Sequence, residues 1–171
     1  MKHLIDILSK QVQQLLIDHI DSIKQNSHVI AVKNVSFSDH LIKKTGSAHY
    51  AEFPQQLLLE AHIQTAKLLL ISQNHLQQHL FQLQKIKAFS AYHRAVPGDQ
   101  LRFETRLKAS KADIISFESK SFIDGKQCSE IAFDMRQSNE TTSGTFIHPT
   151  ASVHPTALLG KNVNIGPYTI I

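Results

Sequence analysis

The sequence predicts an α+β domain, an antiparallel sheet wrapped round one buried helix, followed by a short fragment of parallel β-helix. Three observations predict it. "QQLLLEAHIQTAKLLLIS", opened by Pro54, is apolar over most of a helical circumference, so the helix belongs inside the protein rather than on its surface. "LRFETRLKA" at 101–109 alternates strictly, with Leu101, Phe103, Thr105 and Leu107 on one face and Arg102, Glu104, Arg106 and Lys108 on the other; that is the period of a half-buried strand. In "TFIHPTASVHPTALLGKNVNIGPYTII", Ile147, Val153, Leu159, Ile165 and Ile171 recur every six residues, the period of a parallel β-helix.

The remaining elements follow in order. Residues 2–9 suit a short amphipathic helix. "LLIDHI" at 15–20 and "HVIAVKNVS" at 28–36 read as strands joined through the polar "KQNS" turn. Residues 37–53 have no clean period, and "KKTGS" within them reads as a loop. Pro54 occupies the first turn of the long helix, where its missing N–H costs nothing. Residues 80–96 form a strand leading to the turn Pro97-Gly98. "DIISFESKSFI" and "QCSEIAFDMRQ" flank Asp124-Gly125, a strong hairpin pair. Their inward residues are Ile115, Phe117 and Ile123, then Ile131, Phe133 and Met135. The polar stretch 138–145 is a linker, dividing a domain of residues 1–137 from a repeat segment of residues 146–171. An exposed sheet edge wants a partner, which predicts a dimer formed by edge pairing.

Composition narrows the function. The 171 residues are 42% hydrophobic and 19% charged, a globular balance. No apolar run approaches the length of a membrane span, and Asp6 interrupts the apolar core that a signal peptide would need. The lone Cys128 cannot staple the fold and reads as a structural thiol, so a reducing cytoplasm is the expected compartment. A net charge of +4 without zinc-finger, phosphate-loop or aromatic stacking motifs argues against nucleic acid as a partner. His75 and His79 have the i, i+4 spacing of a helical metal pair, but no third ligand accompanies them. Neither a metal nor an organic cofactor is expected.

The motifs themselves carry a resemblance. "LLIDHI", "AVKNVS", "FPQQLLLEA" with Gln64 following, "AVPGDQL" and "DGK" occur in an order similar to that of the FabZ-type 3-hydroxyacyl-ACP dehydratases, over residues 1–137. The resemblance implies the hot-dog fold, a homodimer or a higher oligomer such as a trimer of dimers, and a 3-hydroxyacyl chain on acyl carrier protein as partner. Residues 146–171, above all "IGPY", resemble the start of an LpxA-type UDP-N-acetylglucosamine acyltransferase, a left-handed β-helix. Both families handle 3-hydroxyacyl chains on the carrier protein. The two resemblances together imply the front of a longer bifunctional polypeptide in fatty acid and lipid A synthesis.

Dehydration needs a base to take a proton beside the thioester carbonyl and an acid to protonate the leaving hydroxyl. The resemblance puts Glu60 at the carboxylate position and Gln64 one turn on, where it can orient Glu60; a carboxylate set among leucines suits a proton donor. By residue type alone, Glu60 reads as a solvated or core hydrogen-bonded side chain. Pro54 and Gln55 open the helix whose free N–H groups would polarise the thioester, with Gln55 standing where the family has glycine. The family's His-Phe-Pro-Gly is absent. Counting along the chain puts Thr45 or Gly46 at the histidine position, and His49 and His40 are the nearest imidazoles. Lys85, Lys87, His93 and Arg94 form a candidate basic rim for an acidic carrier protein, although a solvated strand face is the commoner outcome for such residues.

Three functions are therefore in competition. The expected one is a dehydratase-like module that has lost its turnover and keeps the acyl site or the scaffold. The second is a working dehydratase using Glu60 with a displaced His49. The third is a thioesterase or hydratase of the same fold, since one fold hosts many chemistries.

Overall fold

The structure, a computed structural model, describes residues 1–38, 51–73, 80–138, 146–147, 150–154, 157, 163–166 and 169–170. The chain divides into two compact units, Met1–Gln137 and Ser138–Ile171.

The first unit begins with a helix, α1 (Lys2–Ser9), where the sequence predicts one. Strands β1 (His19–Lys24) and β2 (His28–Asn34) follow, then the long helix α2 (Gln55–Ile71). Four longer strands complete it: β3 (Leu80–Ala91), β4 (Gln100–Lys111), β5 (Ile114–Ile123) and β6 (Lys126–Ser138). They form one six-stranded sheet in the order β1-β2-β4-β5-β6-β3, packed against α2 through β2, β3, β4 and β5. Register shifts after Ile20, Leu107 and Ser121 put irregularities into three strand pairs. Such bulges steepen the twist and let the sheet curl round the helix.

The core lies between helix and sheet. Leu58, Ala61, Ala66 and Leu68–Ile71 of α2 meet Val29, Phe103, Phe117, Phe133 and Met135 of the strands. Phe117 and Phe133 stack with centroids 5.6 Å apart. Leu101, Phe103 and Thr105 are buried on the predicted face of β4, and Ile115, Phe117, Ile131, Phe133 and Met135 are buried as expected; Ile123 is only half-buried. Asp124 and Gly125 adopt positive φ of 48° and 76°, as a two-residue hairpin turn of the kind that matches strand twist requires.

Three sequence expectations need correction. The strand expected over 80–96 ends at Ala91, and the chain from there to Pro97 is irregular. The first strand runs over His19–Lys24, not 15–20. Leu16 and Ile17 are buried, but as an irregular segment; an apolar run alone does not distinguish a strand from a packed loop. Pro54 is the N-cap of α2, one residue before its first turn. It has φ −59° and ψ 139°, and its carbonyl accepts from the N–H groups of Leu57 and Leu58 at 3.0 Å.

Backbone bonds fix where α2 starts. Phe53 N–H donates to Ala95 O at 2.7 Å, Gly98 N–H to Val35 O at 2.9 Å and Val35 N–H to Asp99 O at 2.9 Å. Asp99 Oδ2 also accepts from Val96 N–H at 2.8 Å. "AVPGDQ" is thus a turn that anchors both the end of β2 and the entry to the helix.

In the second unit, β7 (Phe146–Ile147) and β8 (Asn164–Ile165) pair in parallel. The partners are Phe146 with Asn164 and Ile147 with Ile165, and a further parallel bridge joins Ser152 to Ile170. Every pair is separated by eighteen residues, the length of three hexapeptides. Ile165 is buried.

Candidate functional site at the central helix

α2 has two polar sides with different surroundings. The first faces the segment that precedes β1. Gln64 is fully buried there. Its Oε1 accepts the Leu16 N–H at 2.9 Å, while its Nε2 donates to Gln14 O at 2.8 Å and to Glu60 Oε1 at 3.1 Å. One amide therefore satisfies two main-chain groups that have no strand partner and holds the Glu60 carboxylate from one side. Glu60 is half-buried and, with Leu57, Leu16, Val12, Gln14 and Lys67, lines a cleft of about 410 Å³. A carboxylate gripped through one oxygen and open to a cleft through the other can accept from or donate to a ligand hydroxyl.

The second side faces the sheet. His62 is fully buried, with Nδ1 2.6 Å from Ser119 Oγ and Nε2 2.8 Å from Ser129 Oγ. Ser119 Oγ lies 2.6 Å from Thr105 Oγ1, and Ser129 Oγ lies 2.6 Å from Ser121 Oγ. The His62 ring meets Phe103 edge-on at 4.9 Å. Burial pushes its pKa down to about 3, so the ring is neutral, one nitrogen donating and the other accepting.

This network was missed in the sequence, although a signal for it was present. The two-residue period that turns Ile115 and Phe117 inward also turns Ser119 and Ser121 inward, and the phase of Ile131 and Phe133 includes Ser129. Serines on a core face need a polar partner, and His62 is the polar residue on the facing helix. His62 cannot stand in for the absent family histidine. Both its nitrogens are engaged, and two residues along a helix turn it roughly 200° away from Glu60.

The other predicted residues are dispersed. Gln55 is exposed and Pro54 is half-buried at the head of α2. Lys85 and Lys87 lie on β3, and His93 and Arg94 just beyond it; all four are exposed, and none lines the Glu60 cleft. Lys87 pairs with Asp134 at 2.6 Å and holds that carboxyl below its usual range, while Arg94 pairs with Glu52 at 3.1 Å. Cys128 is buried, donates to His93 O at 3.1 Å, and has its thiol pKa raised by burial; a protonated thiol is a poor nucleophile. His49, His40, Thr45, Gly46, His75 and His79 lie outside the described residues. Among the described residues no group of three His, Cys, Asp or Glu is placed to hold a metal. No helix among them is long and apolar enough to cross a membrane.

Comparison with known proteins assigns the chain to a family. Over 117 residues the chain is 30% identical to the 3-hydroxyacyl-(acyl-carrier-protein) dehydratase FabZ of Actinobacillus pleuropneumoniae serotype 5b, covering 66% of this chain and 73% of that protein. The chain belongs to the FabZ family. The FabZ of Polynucleobacter asymbioticus is 27% identical over 130 residues, covering 74% of this chain and 85% of its own length. No family model matches the chain.

Solved structures agree on the hot-dog fold that FabZ resemblance implies. The dehydratase heterocomplex ApeI:P from Xenorhabdus doucetiae superposes with a TM-score of 0.66 at 16% identity, covering 80% of this chain and 92% of that one. The E. coli PaaI protein superposes at 0.61 with 11% identity, covering 79% and 93%. At such identities the likeness is one of fold alone.

Proposed function

We propose that the first unit binds 3-hydroxyacyl chains carried on acyl carrier protein and no longer dehydrates them at the rate of an intact FabZ enzyme. The observation that carries this reading is the Glu60–Gln64 pair at the mouth of a cleft. In the proposed complex Glu60 meets the 3-hydroxyl. The thioester carbonyl sits at the start of α2, where the Gln55 and Gln56 N–H groups precede the first intrahelical bonds. The loss of turnover rests on the sequence, which has no His-Phe-Pro-Gly before the helix. A carboxylate alone supplies one of the two proton transfers, and general acid–base groups are each worth about two to four orders of magnitude in rate.

The test is direct. Incubated with a 3-hydroxyacyl carrier protein, the protein forms a complex that Glu60→Gln weakens, and enoyl product accumulates slowly or not at all. Enoyl product formed at the rate of an intact family member, and lost in His49→Ala, overturns the loss of turnover in favour of a relocated base.

Two further parts belong to this reading. The edges of the sheet at β1 and β3 suit pairing with a second copy, as a dimer or a trimer of dimers; sedimentation at the monomer mass argues against it. The second unit is a coil of an LpxA-like β-helix, supported by the eighteen-residue parallel register at three positions. That coil would link the acyl site to acyl transfer onto a sugar nucleotide in one polypeptide. Cross-strand NMR contacts between Ile147 and Ile165 test the coil, and their absence contradicts it.

A further inference from the structure

The cleft that contains Glu60 holds a second ionic group that its proposed role does not use. Lys67 lies on the same side of α2, seven residues on, and lines the cleft together with Glu60. It is half-buried, and among the described residues it has no ion-pair or hydrogen-bond partner. Lys33, Lys87, Arg94, Arg102, Lys108, Lys120 and Arg136 pair with carboxylates. The other described cations of the unit without an ion pair, Lys2, Lys10, Lys24, Lys85, Arg106, Lys111 and Lys126, are all exposed. Lys67 differs from both groups in being half-buried without one. Glu60 does not neutralise Lys67. Seven residues of helix separate their backbones by about 10 Å, and the Glu60 carboxylate is held by Gln64 instead.

We propose that Lys67 makes this cleft selective for an acyl chain whose far end carries a carboxylate. The inference rests on the reading of Glu60 as the residue that meets the 3-hydroxyl. The polarity of α2 then sets the direction of the chain. The thioester lies at the N-terminal end, the hydroxyl at Glu60, and the tail runs on towards Lys67. Besides the two ionic groups, the cleft is lined by Leu57, Leu16 and Val12, which suit methylenes, and by Gln11, Gln13 and Gln14. A plain alkyl tail would bring its methyl end to a partly desolvated ammonium, burying it without compensation. A carboxylate about 10 Å beyond the hydroxyl would pair with it by a charge-assisted hydrogen bond.

Calorimetric titration with two matched ligands tests this: 3-hydroxydecanoyl carrier protein and its ω-carboxylated counterpart, 3-hydroxydecanedioyl carrier protein. The wild-type protein binds the ω-carboxylated form about tenfold more tightly, as one partly desolvated charge pair warrants. Lys67→Met abolishes that preference and Lys67→Arg keeps it. The denaturation midpoint of each variant, read in parallel, separates loss of the ammonium from loss of the fold. Equal affinity for the two ligands, or a preference that survives Lys67→Met, overturns the role of Lys67 and leaves the reading of Glu60 intact. If neither ligand binds, the Glu60 reading falls and this inference falls with it.

Discussion

The two sides of α2 make opposite use of polar side chains. Towards the sheet, His62, Ser119, Ser129, Thr105 and Ser121 form an unbroken chain of hydrogen bonds among buried residues. Towards the segment before β1, Gln64 is equally buried and fully bonded, yet Glu60, which it holds, and Lys67 further along the helix open into a cleft. The difference teaches how to separate structural from functional polarity in one helix. A closed network satisfies the fold and has nothing left to offer a ligand, whereas a half-satisfied carboxylate and an unpaired ammonium retain capacity for one.

Acid should break the sheet side first. His62 has a folded pKa of about 3, below its unfolded value of 6.5, so between those values the unfolded state binds the extra proton. The contribution of the neutral ring is complete above pH 6.5 and is lost as pH falls towards 3, at a slope approaching 1.4 kcal/mol per pH unit (about the value of one proton). Among the described residues no charged group offsets this from the packed elements. β4 presents Phe103 and Thr105, β5 presents Ser119 and Ser121, and β6 presents Ser129 with buried Cys128 beside it. Glu60 and Lys67, on the helix itself, line the cleft on the other side. Urea unfolding from pH 7 to 4 measures the slope, and His62→Met should flatten it; equal slopes in the two proteins would refute the assignment.

At neutral pH, His62→Ala should cost about 3 kcal/mol, combining a buried cavity with two serines deprived of their shared partner. Gln64→Ala should cost about 2 kcal/mol, since the Leu16 N–H and the Gln14 carbonyl lose their bonds, and it should also weaken acyl binding because Glu60 loses its support. His62→Ala should leave the Glu60 cleft lined as before. Lys67→Met should change stability by no more than about 0.5 kcal/mol. A large loss there would mean that Lys67 serves the fold and would remove the contrast between the two sides.

Much of the frame was legible in the sequence. β4 declared itself through strict alternation from Leu101 to Lys108, and Asp124-Gly125 announced the β5–β6 hairpin because few residue pairs accept two consecutive positive φ values. The apolar girth of "LLLEAHIQTAKLLLI" placed α2 inside the sheet. The displacement of β1 was not legible. Leu15–Ile20 has the composition of a strand, but Gln64 supplies from the helix the hydrogen bonds that a neighbouring strand would have given to residues 14 and 16. The His62 network was hidden for a related reason. Its partners lie 57 and 67 residues away, and only the packed arrangement shows that inward serines of two neighbouring strands, Ser119 of β5 and Ser129 of β6, answer one imidazole. Glu60 was found through its family motif, while Lys67 drew no notice because a lysine on a helix is unremarkable until its neighbours are known.

The contrast between the two sides of α2 is tested most directly by an NMR titration of the isotopically labelled protein with a 3-hydroxyacyl carrier protein. The account predicts shifts at the Leu16 amide, the Gln64 side-chain amide and Lys67, with the His62 ring, Ser119 and Ser129 unmoved. Shifts centred on His62 and its serines, with Leu16 and Gln64 silent, would contradict it.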